Sequence, residues 1–86
     1  MRIVYKHNLM TGYNQVYLPP ESKILHIAEQ HGQVMMWVEQ PAYQSAPSMV
    51  HEFNVYATGQ QIINDNEYHI GSVLMSSGLV WHVYAK

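Results

Sequence analysis

Gly71-Ser-Val-Leu-Met-Ser-Ser-Gly-Leu-Val-Trp-His-Val-Tyr84 is the stretch whose reading decides the fold. It is the densest apolar run in the chain and holds one of only two tryptophans, and Ser76-Ser77-Gly78 interrupts it halfway. Two apolar arms around a short Gly-containing break read as a β-hairpin. Tyr68–Met75 forms the first arm and Leu79–Ala85 the second, which is expected to close the core.

The same reading extends upstream. Met49–Ala57 alternates cleanly, with Phe53, Val55 and Ala57 on one side and Glu52, Asn54 and Tyr56 on the other, the mark of a half-buried strand. Thr58-Gly59 ends it. Gln60–Glu67 is irregular, with room for one helical turn and with Ile62 or Ile63 as an anchor. Two more apolar runs, Ile24–Ala28 and Gln33–Val38, flank His31-Gly32 and predict another hairpin in preference to a helix. In its second arm Val34, Met36 and Val38 share one face, and Met35 and Trp37 the other. Apolar residues on both faces suit a strand covered on both sides or placed at a subunit contact. Arg2–Leu9 reads as a strand, Thr11–Asn14 as a turn and Gln15–Leu18 as a short return strand, giving a first hairpin stopped by Pro19-Pro20. Gln40–Ser48 is the longest loop. The expected architecture is all-β: one domain over residues 1–86, an antiparallel sandwich or partly open barrel of six to seven short strands.

Composition bounds the function. The chain has 86 residues, enough for one domain with a modest core. Without cysteine there is no disulfide and no thiolate metal site. Charged residues make up 12% of the chain, about half the usual share, and such a surface resists self-association poorly. A homo-oligomer, a dimer, is therefore expected. The four basic residues, Arg2, Lys6, Lys23 and Lys86, are scattered, which argues against nucleic acid as a partner. No apolar run is long enough for a membrane helix, and the first residues lack a signal-peptide pattern, so a cytoplasmic protein is expected.

Each candidate chemistry has a plainer competitor. The six histidines, His7, His26, His31, His51, His69 and His82, include no His-x-His or His-x-x-x-His pair, and no metal or other cofactor is expected. Protonating all six takes the net charge from −2 to about +4, so acid is expected to loosen an oligomer. Ser76 or Ser77 with His82 and Asp65 would make a triad, but no nucleophile elbow precedes either serine, and a turn explains them better. The isolated glycines form no phosphate loop. A non-enzyme is the expectation. Tyr and Trp join apolar area to a polar tip and so suit contact surfaces. Tyr13, Tyr17, Tyr43 and Tyr56, in loops or on polar faces, are the contact candidates, whereas Trp81 fits a core role more easily. Thr58, Gly59, Trp81 and His82 would together supply an aromatic wall with polar groups for a small ligand.

The order Tyr5-Lys6, Leu18-Pro19, Lys23-Ile-Leu25, Trp37, Phe53-Asn-Val-Tyr-Ala-Thr-Gly59, Tyr68-His-Ile-Gly-Ser-Val73 and Val80-Trp-His-Val83 resembles a group of small uncharacterised all-β proteins of tailed phages and prophages. The resemblance spans nearly the whole chain. Gln60 stands where such relatives carry His after Thr-Gly. The resemblance implies a phage accessory protein in the host cytoplasm and supplies no catalytic residue. The leading expectation is an interaction module that binds and modulates a host or phage protein. The alternatives are a nucleotide-like small-ligand binder acting against host defence signalling, and a minor virion component.

Overall fold

A computed structural model describes residues 1–43 and 46–86 of the chain. Among these residues it is all-β, with seven strands: β1 (Arg2–Leu9), β2 (Gly12–Leu18), β3 (Lys23–Gln30), β4 (Gln33–Pro41), β5 (Met49–Ala57), β6 (Tyr68–Leu74) and β7 (Val80–Ala85). They form two antiparallel sheets, a three-stranded one in the order β1-β4-β3 and a four-stranded one in the order β2-β5-β7-β6. The sheets pack as an open sandwich and do not close into a barrel.

The two expected Gly hairpins are present. His31 and Gly32 both have positive φ, 55° and 75°, and Gln30 pairs with Gln33 across them. Two consecutive left-handed residues match the twist of the flanking strands, and Gly32 enters that region without steric cost. At the other hairpin Gly78 has a φ of 93° and donates to the Met75 carbonyl at 2.9 Å, while the Met75 amide donates to the Leu79 carbonyl at 2.8 Å. Glu29 on β3 receives the Ser76 amide and hydroxyl at 3.0 Å each, tying this turn to the opposite sheet.

The expected first hairpin is not there. β1 pairs with β4, and β2 pairs with β5 in the other sheet. The Thr11-Gly12 signal instead marks a crossover between layers. Asn14 clamps it, receiving the Met10 amide on Oδ1 and donating Nδ2 to the Met10 carbonyl, both at 2.8 Å. An Asn side chain mimicking backbone in this way lets the chain bend without a ladder. No helical turn occurs in residues 60–67. The expected long loop is shorter than Gln40–Ser48, because β4 runs on to Pro41; its residues Gln44 and Ser45 lie outside the described residues.

The core lies between the sheets. Met36 and Val38 from β4 meet Phe53 and Val55 from β5, Val73 from β6 and Val83 from β7, with Leu9 and Leu18 at the ends of β1 and β2. Burying such side chains stabilises by about 1.5–3 kcal/mol each before conformational entropy is counted. Met35 is also buried but stands apart from this cluster, on the outer face of β4. There the Lys6 ammonium on β1 reaches Gln30 Oε1 on β3 at 2.5 Å, a polar strap across the central strand. His26 tilts against Trp37 with ring centroids 5.7 Å apart.

β3 and β6 meet at the seam between the sheets. Both are bulged there, at Leu25 and at Ile70, which breaks the even spacing a ladder between them would need. The seam is close enough that a Cβ on Gly71 would lie 3.2 Å from Ile27 Cδ1.

Candidate functional site

The outer face of the four-stranded sheet gathers most of the organised polar chemistry. Strand alternation places Tyr13, Gln15 and Tyr17 of β2, Glu52, Asn54 and Tyr56 of β5, His82 and Tyr84 of β7, and His69 and Ser72 of β6 on it. Three hydrogen-bonded groups hold these side chains.

At one edge the Tyr13 hydroxyl donates to Glu52 Oε1 at 2.6 Å and accepts from Gln15 Nε2 at 3.0 Å. The bond to Glu52 holds the Tyr13 phenol above its usual pKa. In the middle Glu67 reaches back from the loop after β5. Its carboxylate accepts the Tyr56 hydroxyl at 2.7 Å and Asn54 Nδ2 at 2.8 Å. Partial burial first, and the bond to Glu67 second, push the Tyr56 phenol up to about 12. Tyr84 stands edge-on to both Tyr56 and His69, with centroids 5.5 and 5.4 Å apart.

The third group is a chain of alternating imidazoles and hydroxyls. His69 Nε2 lies 2.8 Å from Ser72 Oγ, Ser72 Oγ 2.8 Å from His82 Nδ1, and His82 Nε2 2.8 Å from Thr58 Oγ1. The Thr58 hydroxyl ends the chain on the Val80 carbonyl at 3.4 Å. One proton order satisfies every group: each imidazole donates through Nε2, Ser72 donates to Nδ1 of His82, and Thr58 donates to the carbonyl. Both ring nitrogens of His82 are thereby engaged.

The structure divides the residues that sequence reasoning grouped. Thr58 and His82 are bonded to each other. Trp81 points the opposite way from His82, packs against the core and lines the hollow beside Thr58, Gly78 and Leu79. Gly59, with a φ of 90°, serves the turn after β5 and borders a shallow hollow of about 240 Å³ with Tyr56, Thr58 and His82. Tyr56 lies on the tyrosine-rich face. Tyr43 does not: it is 81% exposed, beside Met1, Arg2, Glu21 and Pro41. Sequence reasoning did not group Ser72, Glu67 or Asn54 with these residues. Ser72 was within reach, because counting outward from the Ser76–Gly78 turn sets Ser72 directly opposite His82. Among the described residues, no three His, Cys, Asp or Glu side chains converge as metal ligands, and no helix is long and apolar enough to cross a membrane.

Fold and site together define a small two-sheet β-domain with one face of anchored tyrosines and imidazoles. The chain belongs to the family described as a domain of unknown function, DUF7352, whose model matches residues 1–86. No curated protein and no solved structure matches it.

Proposed function

We propose that this chain is a non-enzymatic interaction module that binds a protein partner through the outer face of its four-stranded sheet. The observation that carries the reading is the pre-organisation of that face. Tyr13, Tyr56 and His82 are exposed or half-buried, yet their polar atoms are already held by Glu52, Glu67, Thr58 and Ser72. Side chains fixed before binding lose less entropy on contact. Tyrosine anchors of this kind dominate many interfaces. The sequence resemblance supports a phage accessory protein that modulates a host or phage protein in the host cytoplasm.

The test is a paired set of variants against a partner captured with tagged protein and then purified. Tyr13→Ser with Tyr17→Ser weakens binding at least about 30-fold, the size of a ≥2 kcal/mol hot spot. Leu25→Ser, on the other sheet, leaves affinity unchanged. Equal affinity for all three proteins removes the assignment.

A second reading, a small-ligand site, is favoured by the hollow where the β1–β2, β3–β4 and β6–β7 connections converge. It measures about 310 Å³, is walled by Trp81, Met10, Met75 and Val34, and is rimmed by Asn8, Thr11 and Gln33. That volume is at the small end for ligand pockets. No charged side chain lines it, so it suits an uncharged ring with amide-like edges better than a nucleotide phosphate. The Trp37→Phe protein leaves Trp81 as sole indole. Quenching of its fluorescence by free nucleobases, with no gain from added phosphates, supports this reading, and an unchanged spectrum removes it.

A further inference from the structure

Sheet edges expose unpaired backbone groups, and folded chains blunt them with bulges, prolines, charges or cover. Two of the four edges here are blunted by bulges and mutual cover. β3 and β6 are bulged and shield one another across the Ile27–Gly71 contact. β2 is blunted only at its ends, by Asn14 Nδ2 donating to the Gly12 carbonyl at 3.0 Å and by Pro19 after its last residue. β1 is guarded only by the charges of Arg2 and Lys6. It runs regularly for eight residues opposite β4, without bulge or proline. Both of its faces are exposed from Met1 to Lys6, with Val4 and Tyr5 each 50% accessible, so the four-stranded sheet does not roof it.

The hydrogen-bond parity of β1 is fixed. The Ala42 amide donates to the Met1 carbonyl at 3.0 Å, so Met1 and Ala42 form a hydrogen-bonded pair one step beyond the Arg2–Pro41 pair. Alternation then aims the backbone groups of Ile3, Tyr5, His7 and Leu9 at β4, and those of Arg2, Val4, Lys6 and Asn8 outward. Among the described residues no strand pairs with that side.

We propose that a second copy of this chain occupies the edge, β1 pairing antiparallel with β1 of its partner around a two-fold axis at Tyr5. The occupant follows from charge and register. Outward-facing residues must meet one another, and three symmetric registers of this kind give the longest overlap, centred on Val4, Tyr5 or Lys6. Centring on Val4 sets Arg2 opposite Lys6 of the other copy, and centring on Lys6 sets two lysines face to face. Like charges directly opposite are destabilising. Centring on Tyr5 sets Arg2 against Asn8 and Val4 against Lys6, with no cation facing another. An acidic peptide has no special claim on the edge, because Arg2 already holds Glu39 at 2.6 Å and Lys6 already holds Gln30. The paired tyrosines occupy a non-hydrogen-bonded position, the close one in an antiparallel ladder. The product is a continuous six-stranded sheet, β3-β4-β1-β1-β4-β3, with both tyrosine-rich faces left free.

Two variants test this in the full chain. Val4→Pro removes an outward amide and no bond within the sheet. Light scattering after size exclusion is expected to give a dimer for the native protein and the 9.9 kDa of one chain for Val4→Pro, with unchanged circular dichroism. Tyr5→Cys introduces the chain's only thiol. At the two-fold axis its Cα lies about 4.5 Å from its mate, within disulfide range, so mild oxidation links the copies, whereas Ile3→Cys, set opposite His7, stays unlinked. A native protein monomeric from micromolar to millimolar concentration overturns the proposal. So does a dimer that survives in folded Val4→Pro, or that links no better through Tyr5→Cys than through Ile3→Cys. If Val4→Pro fails to fold, the paired cysteine variants decide alone.

Discussion

On the outer face of the three-stranded sheet, Met35 and Trp37 lie on the central strand, with the Lys6–Gln30 strap and His26 across them. On the outer face of the four-stranded sheet, Asn54, Tyr56, His82 and Tyr84 occupy the central strands and are bonded to one another's neighbours instead of covered. Strand alternation is the same in both. The difference lies in what the outward residues need. Apolar residues pointing outward need a lid, and long polar side chains from the flanking strands can provide one with their aliphatic stems. Polar aromatics pointing outward need partners for their hydroxyls and nitrogens, and once these are supplied the face can stay open. One sheet therefore protects its surface, while the other presents it.

The sharpest break of this contrast is to place a charge on each face. Met35→Asp buries an uncompensated carboxylate beneath the strap and is expected to cost about 3 kcal/mol or more in denaturant melts. Tyr17→Asp, on the open face, is expected to cost no more than about 0.5 kcal/mol. Similar losses at the two sites would erase the distinction between covered and presented faces.

Removing the central anchor of the open face comes next. Glu67→Ala frees Asn54 and Tyr56 and is expected to cost about 1 kcal/mol. It also removes one of the causes that raise the Tyr56 phenol, so a spectrophotometric titration should show that group moving from about 12 back toward its ordinary value.

The pH dependence has a definite sign. The folded state holds the Tyr56 proton to about 12, whereas the unfolded chain releases it near 10. The folded form therefore binds more protons between these values, and this contribution, fully present below pH 10, is lost as pH rises from 10 to about 12. Thermal melts across that window should fall more steeply for the native protein than for Glu67→Ala.

The smallest effect is expected at the imidazole chain. Ser72→Ala removes the hydroxyl between His69 and His82 on an exposed strand, and a loss of about 0.5–1 kcal/mol should result. The telling readout is the nitrogen resonances of both imidazoles, which should shift together. A shift confined to one ring would mean that the chain is two separate contacts.

The hairpins at His31-Gly32 and Ser76–Gly78 were legible because each depends on local backbone conformation that Gly supplies. So were the alternation of β5 and the two apolar faces of β4. The β1–β2 connection was not. Thr11-Gly12 announces a bend, but whether the next strand pairs with its predecessor or crosses to another layer is decided by the distant β4 and β5. The candidate site was half legible for a related reason. Thr58 and His82 were named, but joined with Trp81, although adjacent strand residues face opposite ways. Glu67 sits in an irregular segment, where no periodicity says which way a carboxylate turns.

The crossover after β1 also bears on how the chain assembles as it is made. β1 finds its ladder only when residues up to Pro41 have emerged, and β2 only when β5 has. At about 5–20 residues per second, these strands wait for seconds without partners. The hairpins β3–β4 and β6–β7 can close from neighbouring residues, and each then offers a template edge, β4 to β1 and β7 to β5, with β2 added last. Assembly dominated by such remote pairings belongs to the slow class of folding, about milliseconds to seconds. β2 is thus the strand left longest in search of a mate, because β5 follows it at a greater distance in the chain than β4 follows β1.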